Sequence, residues 1–313
     1  MSVAVPAAPA RPASAVAKGY LLIHVCVVLW GFTPIMGRLI TLDAVALVWW
    51  RMLLAAVALL LLPATWRGLR QLSPRLVAGC CGVGVVLAVS WALFYLSIKL
   101  TNASVGAVCL GTAPLFIAVA GPALTHRRYR RADLALALAI IPGVALVAGG
   151  IPRGMYVGLA IGLLSAGLLA GFSGLNKLLA SRTHALSATA IELATGAVFL
   201  TLVIASLPHA DAGFTLPHGS DAVLLVVFAI VLTSLPLAMM LIALRSISVF
   251  AQQMATNLEP VYAVVLAIPI LHEQQQLDPL FYLGVVVILG TVMVEPVIQW
   301  LRARAARPGT ARV

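Results

Sequence analysis

The chain has 313 residues, of which 62% are hydrophobic and only 9% are charged, with a net charge of +11. A soluble domain carries about 25% charged residues, so water could not solvate this chain and lipid must surround most of it. The basic residues lie between apolar runs rather than on one soluble face, which argues against a nucleic-acid partner and predicts a membrane topology signal.

The first 19 residues are rich in Ala, Pro and Ser and predict a disordered cytoplasmic tail. The apolar run that follows is long enough to span a membrane and has no evident cleavage site, which is not the pattern of a signal peptide. About ten apolar segments of spanning length then follow one another, joined by short connectors. They lie at residues 20–40, 44–64, 75–97, 102–125, 132–150, 154–180, 186–207, 221–243, 246–270 and 278–298.

The basic residues indicate which side of the membrane each connector faces. With the N-terminus inside, 16 of the 20 Lys and Arg residues lie on the inner side, and Arg38, Arg51, Lys99 and Arg153 lie on the outer side. The positive-inside rule therefore predicts cytoplasmic N- and C-termini in an inner (plasma) membrane of bacterial type. Residues 299–313 are expected to form a basic cytoplasmic tail.

Short motifs repeat between the two halves of the chain. Leu-x-Gly-Phe-Thr at residues 29–33 matches Leu-x-Gly-Phe-Ser at 169–173, and Pro-Leu-Phe at 114–116 matches Pro-Val-Tyr at 260–262. Each half then holds five spans, and an odd number forces the second copy to enter the membrane upside down. The predicted fold is an all-α membrane protein with ten transmembrane helices in two inverted five-helix repeats, residues 20–150 and 154–298.

The second half contains the most specific run of residues. It reads Asn-Leu-Glu-Pro-Val-Tyr-Ala at 257–263, followed by Leu-His-Glu at 271–273 and Leu-Gly at 283–284. Trp-Gly-Phe at 30–32 and Trp-Arg-Met-Leu at 50–53 mark the first two spans. In these motifs, over about residues 20–298, the chain resembles an EamA-type member of the drug/metabolite transporter superfamily. It departs from the family at His126-Arg127, where the family often has Gly-Glu.

This resemblance implies a secondary transporter that exports amino acids or related small organic metabolites by alternating access. It also implies a central cavity formed by spans 1, 3, 4, 6, 8 and 9, and no metal or other cofactor. The expected partners are a small organic solute and the lipid bilayer. Import or exchange of another solute, such as a nucleotide-sugar-like or cationic compound, stays open as an alternative.

No enzyme motif survives closer reading. His272-Glu273 is followed by Gln276 where a zinc protease motif needs its second His, and no Walker motif is present. The four cysteines lie in apolar runs, which is typical of packing residues. We therefore expect no catalytic residue and no metal site. A membrane-embedded lipid-modifying enzyme and a non-transporting scaffold subunit are the alternatives from other classes.

Polar side chains at membrane depth mark the candidate solute path, because they are costly against lipid and face the bundle interior. Glu259 lies 13 residues past Ser246, about 20 Å into its predicted span, and Pro260 frees a carbonyl in the preceding turn. The residues expected to line the path are aromatic or carry amide or hydroxyl groups: Trp30, Trp91, Tyr95, Asn176, Gln252, Gln253, Thr256 and Asn257. The candidates for coupling transport to protons are Glu259, Glu192 and His24.

Structural roles compete with each of these assignments. Glu259 could cap neighbouring helix ends, Tyr95 could belong to the aromatic belt, and His24 could be a hydrogen-bonded interior histidine. Arg51 and Glu192 occupy similar positions in the two repeats, but about 10 Å of depth separates them, so each is expected to have its own partner.

Overall fold

The computed structural model of the protein describes residues 13–125, 131–180, 182–206, 214, 216–243, 246–247, 252 and 255–305. Within this part of the chain the secondary structure is helical throughout, without strands. The helices are α1 Ala13–Gly31, α2 Thr33–Leu39, α3 Ala44–Leu60, α4 Pro63–Leu69, α5 Pro74–Leu100, α6 Ala103–Gly111, α7 Ala113–Thr125, α8 Arg131–Gly149, α9 Tyr156–Ala180, α10 Ala185–Ser206, α11 Ser220–Ala229, α12 Leu235–Ala243, α13 Glu259–Leu271 and α14 Pro279–Ala305.

Five helical segments of the described chain are long and apolar enough to cross a membrane, or six if the bent pair α3 and α4 counts as one span. Four further apolar helices are shorter, between 10 and 17 residues: Ala103–Val119, Leu138–Gly149, Glu259–Leu271 and Pro279–Val294. Together these segments account for the apolar runs of the sequence. The protein is thus an all-helical membrane protein, and the count of ten spans stays a prediction.

The second span, predicted over residues 44–64, is shorter and bent in the structure. Helix α3 ends at Leu60, and α4 leaves it at an angle of 88°. The cause is Pro63, because the residue before a proline is pushed out of the helical region, and Leu62 has extended backbone with ψ 122°. The chain therefore turns at the end of α3 and runs on as a short separate helix.

Two other spans are interrupted near their middle. The first span breaks at Phe32, between α1 and α2, and the fourth breaks at Thr112, between α6 and α7. In both cases a proline follows two residues later, Pro34 and Pro114, where it can begin a helix but cannot continue the one before it. Both interruptions therefore lie within their predicted spans rather than at the ends.

The eighth span contains a wider turn, a π-helix over Ile230–Ser234 that joins α11 to α12. Thr233 donates its hydroxyl to the carbonyl of Phe228 at 2.8 Å, and Ser234 donates to the carbonyl of Ala229 at 2.9 Å. These hydroxyls satisfy carbonyls that an ordinary α-helical ladder would have used. Such wide turns recur at functional sites, and this one faces Arg51.

Close helix contacts hold the two halves together. Helix α5 packs against α9 and α10, α3 against α10, and α8 against α14. At Gly84 of α5 a side chain would collide with the backbone of Glu192 in α10, so only glycine permits this approach. Between α5 and α9, Ser90 donates to the carbonyl of Ser165 at 3.0 Å, and Ser165 donates back at 2.8 Å.

Candidate substrate-binding site

A single arginine is buried in the middle of the second span. Arg51 of α3 is only 6% exposed. Its Nε donates to the Thr233 hydroxyl at 3.0 Å, and its Nη1 donates to the Tyr95 hydroxyl at 2.9 Å. Hydrogen bonds to a charged donor are roughly twice as strong as neutral ones, so these two contacts fix the orientation of the guanidinium plane.

Three aromatic rings enclose the same guanidinium. Its central carbon lies 3.8 Å from the centroid of the Trp91 ring, 4.3 Å from that of Phe228 and 5.8 Å from that of Tyr95. A desolvated cation over an aromatic face gains about 2 kcal/mol, which offsets part of the cost of burying the charge. We call these four side chains and Thr233 the arginine cage.

The arginine cage joins elements whose helical geometry is interrupted. Thr233 lies in the π-turn of the eighth span. The Tyr95 hydroxyl points towards the carbonyl of Thr33, 3.5 Å away, and Thr33 is the first residue after the break in the first span. Arg51 thus connects the second, third and eighth spans directly and reaches the broken first span through Tyr95.

Glu259 is the acidic group in electrostatic contact with Arg51. It is half-buried and is the first residue of α13. Among the described residues, no carboxylate oxygen lies within 4.0 Å, the limit for an ion pair, of a guanidinium nitrogen of Arg51. The site therefore holds one cation and one anion that interact electrostatically without a direct salt bridge.

The first turn of α13 lies where the breaks in the first and fourth spans meet. A side chain at Gly31 would approach Cβ of Tyr262 to 2.9 Å, and one at Gly111 would lie 3.5 Å from Pro260. Glu259 therefore begins a helix at the point where two spans with a one-residue interruption meet. Transporters commonly bind substrates and ions at such broken helices near the bilayer midplane.

The polar run before Glu259 forms contacts within its own segment. Gln252 donates its amide to the Thr256 hydroxyl at 3.0 Å, and Thr256 donates back to the Gln252 carbonyl at 3.1 Å. Asn257 is half-buried and has a partner of its own. Gln253 lies outside the described residues. The predicted stripe is therefore placed in part, beside the Glu259 end of the site.

Glu192 forms a separate buried polar position in α10. It is 2% exposed, and its Oε2 accepts from the Asn176 amide of α9 at 3.4 Å. Its Oε1 is buried without a hydrogen-bond partner among the described residues. Asn176 and Glu192 are thus brought together, but away from the arginine cage. The expectation that Arg51 and Glu192 have separate partners agrees with these contacts.

Two sequence-predicted residues take no part in either group. His24 lies on the exposed side of α1, and its Nδ1 lies 2.9 Å from the carbonyl of Tyr20 one turn earlier. Trp30 is half-buried and packs with the apolar cluster around Ile23 and Ala243, between α1 and α12. The described part of the chain contains no group of three His, Cys, Asp or Glu side chains that could hold a metal.

Sequence reasoning gave no site role to Arg51, although a signal for it exists. Arg51 is the one charged residue of the α3 sequence, and charged residues inside apolar spans usually mark ion or substrate paths. Phe228 and Thr233 had no comparable signal, because an ordinary apolar residue and a helix hydroxyl gain their role through the fold.

Charged residues at one end of the bundle hold its two halves together. Glu273, which is 2% exposed, accepts from the backbone N–H groups of Ala103 at 2.7 Å and Ser104 at 2.8 Å. Asp221 of α11 accepts from the backbone N–H of Thr41 at 3.1 Å and from its hydroxyl. Each contact joins a residue of the second half to the start of a helix or a connector in the first half.

The comparisons with known proteins agree with this picture. The model of the EamA-like transporter family matches residues 17–149. Fourteen chains of solved structures match. One of them, described as the crystal structure of a protein, is 18% identical, has a TM-score of 0.60, and the alignment covers 93% of this chain and 99% of that chain. This identity shows the fold alone.

A search among curated proteins found no significant match. The family whose model matches consists of membrane transporters of small solutes rather than enzymes. Since the match covers the first and second span motifs from which the resemblance was drawn, it confirms that resemblance. The family match over residues 17–149 thus supports an EamA-type transporter of the drug/metabolite transporter superfamily.

Proposed function

We propose that this protein is a secondary transporter that exports amino acids or closely related zwitterions by alternating access. The observation that carries the proposal is the unpaired cation and anion, Arg51 and Glu259, at the meeting point of broken helices. A zwitterionic solute supplies a carboxylate for the guanidinium and an ammonium for Glu259. Binding it supplies a counter-charge to each of two charged groups that form no direct ion pair.

The arginine cage supports a carboxylate ligand. Thr233 and Tyr95 engage two of the five N–H donors of the Arg51 guanidinium, which holds the group rigid. A fixed, planar guanidinium binds a carboxylate with two parallel hydrogen bonds. The half-buried ring of Trp91 supplies apolar surface for the rest of a small organic solute.

The proposed architecture is two inverted repeats of five spans, residues 20–150 and 154–298. In such a repeat, each span of the first half corresponds to the span five places later. The helix packing supports this, because contacts between spans recur between the corresponding spans. Span 3 packs on span 6 (α5 on α9), as span 8 packs on span 1 (α12 on α1). Span 4 packs on span 6, as span 9 packs on span 1, and span 2 packs on its own mate, span 7.

The proposed cavity is formed by spans 1, 3, 4, 6, 8 and 9, with spans 5 and 10 outside it. In support, α8 and α14, which correspond to spans 5 and 10, pack mainly on each other.

The proposed topology places the protein in a bacterial-type inner membrane with both termini in the cytoplasm. Impermeant labelling of cysteine tags at both ends checks this: labelling of either tag in intact cells contradicts it.

Transport by purified protein in proteoliposomes tests the function. Vesicles loaded with a labelled neutral amino acid are diluted with and without a pH gradient, beside vesicles that hold its decarboxylated amine or its deaminated acid. The proposal expects movement of the zwitterion and little movement of either single-charge analogue. Equal movement of all three solutes contradicts the proposal. So does zwitterion movement no greater than that from loaded vesicles without protein.

A further inference from the structure

The bend after the second span creates a surface that the transport site does not use. Helix α3 has 17 residues and is about 25 Å long, close to the thickness of the hydrocarbon core. Helix α4 leaves it at 88°. A helix at a right angle to the end of a membrane crossing lies along the membrane surface, at the depth of the lipid headgroups.

One side of α4 is fixed to the protein. Thr65 is fully buried, donates its hydroxyl to the Leu59 carbonyl at 2.7 Å, and accepts at its own carbonyl from Ser187 at 2.8 Å. Gly68 packs closely against His184, where a side chain would approach Cβ of the histidine to 2.8 Å. The short helix is therefore held in place by the start of α10.

The other side of α4 faces outward and is both apolar and basic. It borders an open surface cleft of about 370 Å³ lined by Leu61, Pro63, Trp66, Arg67 and Arg70. Leu61 is 77% exposed and Trp66 is 51% exposed. The Trp66 ring is nevertheless anchored, because its Nε1 donates to the Leu60 carbonyl at 2.7 Å. An apolar wall beside two guanidinium groups fits a ligand with an apolar chain and an anionic head.

Nothing acidic in this stretch of sequence competes for the two arginines. No Asp or Glu occurs between Asp43 and Asp133, and Arg75 follows at the start of α5. Among the described residues, no carboxylate oxygen lies within 4.0 Å, the limit for an ion pair, of a guanidinium nitrogen of Arg67 or Arg70. Their charge is thus available to an external anion at headgroup depth.

We propose that the outward side of α4 is a binding site for an anionic phospholipid. Arg67 and Arg70 bind the headgroup phosphate, and the acyl chains lie along Leu61 and Trp66. Inorganic phosphate has the same anionic group as the headgroup, but it has no apolar chain that could pack on Leu61 and Trp66. A zwitterionic lipid would gain less from two arginines, because its own ammonium opposes them.

Native mass spectrometry of delipidated protein in detergent tests this site. The protein is titrated with phosphatidylglycerol, phosphatidylcholine or inorganic phosphate, and the double variant Arg67→Gln/Arg70→Gln is compared with the native chain. The matched control is Arg153→Gln, an exposed arginine in the connector before α9. Thermal unfolding without lipid confirms that all three proteins are folded.

We expect phosphatidylglycerol to bind the native chain and the Arg153 variant equally, and the double variant roughly thirtyfold more weakly. Phosphatidylcholine should bind all three proteins with similar, weaker affinity. Undiminished phosphatidylglycerol binding by a folded double variant would overturn the proposal. Displacement of the lipid by millimolar inorganic phosphate would overturn it too, because the site would then belong to a soluble anion.

Discussion

Arg51 in the second span and Glu259 at the start of α13 act on each other electrostatically without forming a direct ion pair. The other close partners of Arg51 are neutral hydroxyls and aromatic rings. A buried cation and a half-buried anion that form no direct ion pair are costly unless a third group binds to both of them. In the proposed transport function, that group is the solute.

Tyr95→Phe removes the hydroxyl that accepts from Arg51 and keeps the ring. Loss of a buried hydrogen bond to a charged donor costs about 2 kcal/mol. We expect a lower midpoint of thermal unfolding in detergent and at least a tenfold weaker apparent affinity for the solute. Tyr156→Phe is the control, because Tyr156 is 45% exposed. An unchanged affinity in Tyr95→Phe would show that the cage does not position Arg51.

Arg51→Lys keeps the charge but loses the planar fork. An ammonium cannot reach Thr233 and Tyr95 together while stacking between Trp91 and Phe228, so the cage loses its fixed geometry. We expect the protein to insert in the membrane and transport to fall at least tenfold, mainly through KM. Transport at native rates with lysine would mean that charge alone suffices, against the proposed two-bond recognition of a carboxylate.

The sequence predicted where the chain would be apolar and where polar groups would be buried, but not how these groups meet. Pro260 predicted a kink in the ninth span, since a proline removes a backbone donor locally, whereas the interruption of the first span at Phe32 was not predicted. Pro63 also indicates a local helix end before α4. Because the residues on both sides of it are apolar, the predicted span was extended across it. The cage around Arg51 depends on Phe228 and Thr233, which lie more than a hundred residues away and become partners through tertiary packing.

Glu192→Gln tests whether this carboxyl has a role besides packing. One distant amide donor and an unpartnered oxygen suit an uncharged carboxyl, so the isosteric amide should leave thermal stability within about 0.5 kcal/mol. If Glu192 carries a proton in the cycle, gradient-driven transport is lost while solute exchange without a gradient persists. Destabilisation by several degrees would instead show that a charged Glu192 supports the fold.

Glu273→Gln tests the connection between the two halves. The carboxylate accepts from two backbone N–H groups at the start of α6, and an amide oxygen can replace one of these bonds well. We expect a loss of stability of about 2 kcal/mol, measured as thermal unfolding in detergent. Asp278→Asn, at an exposed acidic residue, is the control. Equal unfolding temperatures for the two variants would contradict the structural role of Glu273.

The most direct test of the central claim compares solute binding by the native protein and by Glu259→Gln, in detergent and in proteoliposomes. The amide keeps the shape of the side chain and removes its charge. Binding of a neutral amino acid should weaken at least tenfold, down to the level of its deaminated acid, while the protein inserts and unfolds as before. If Glu259→Gln still prefers the amino acid over the deaminated acid and transports it at the native rate, Glu259 does not bind the ammonium group, and the account is contradicted.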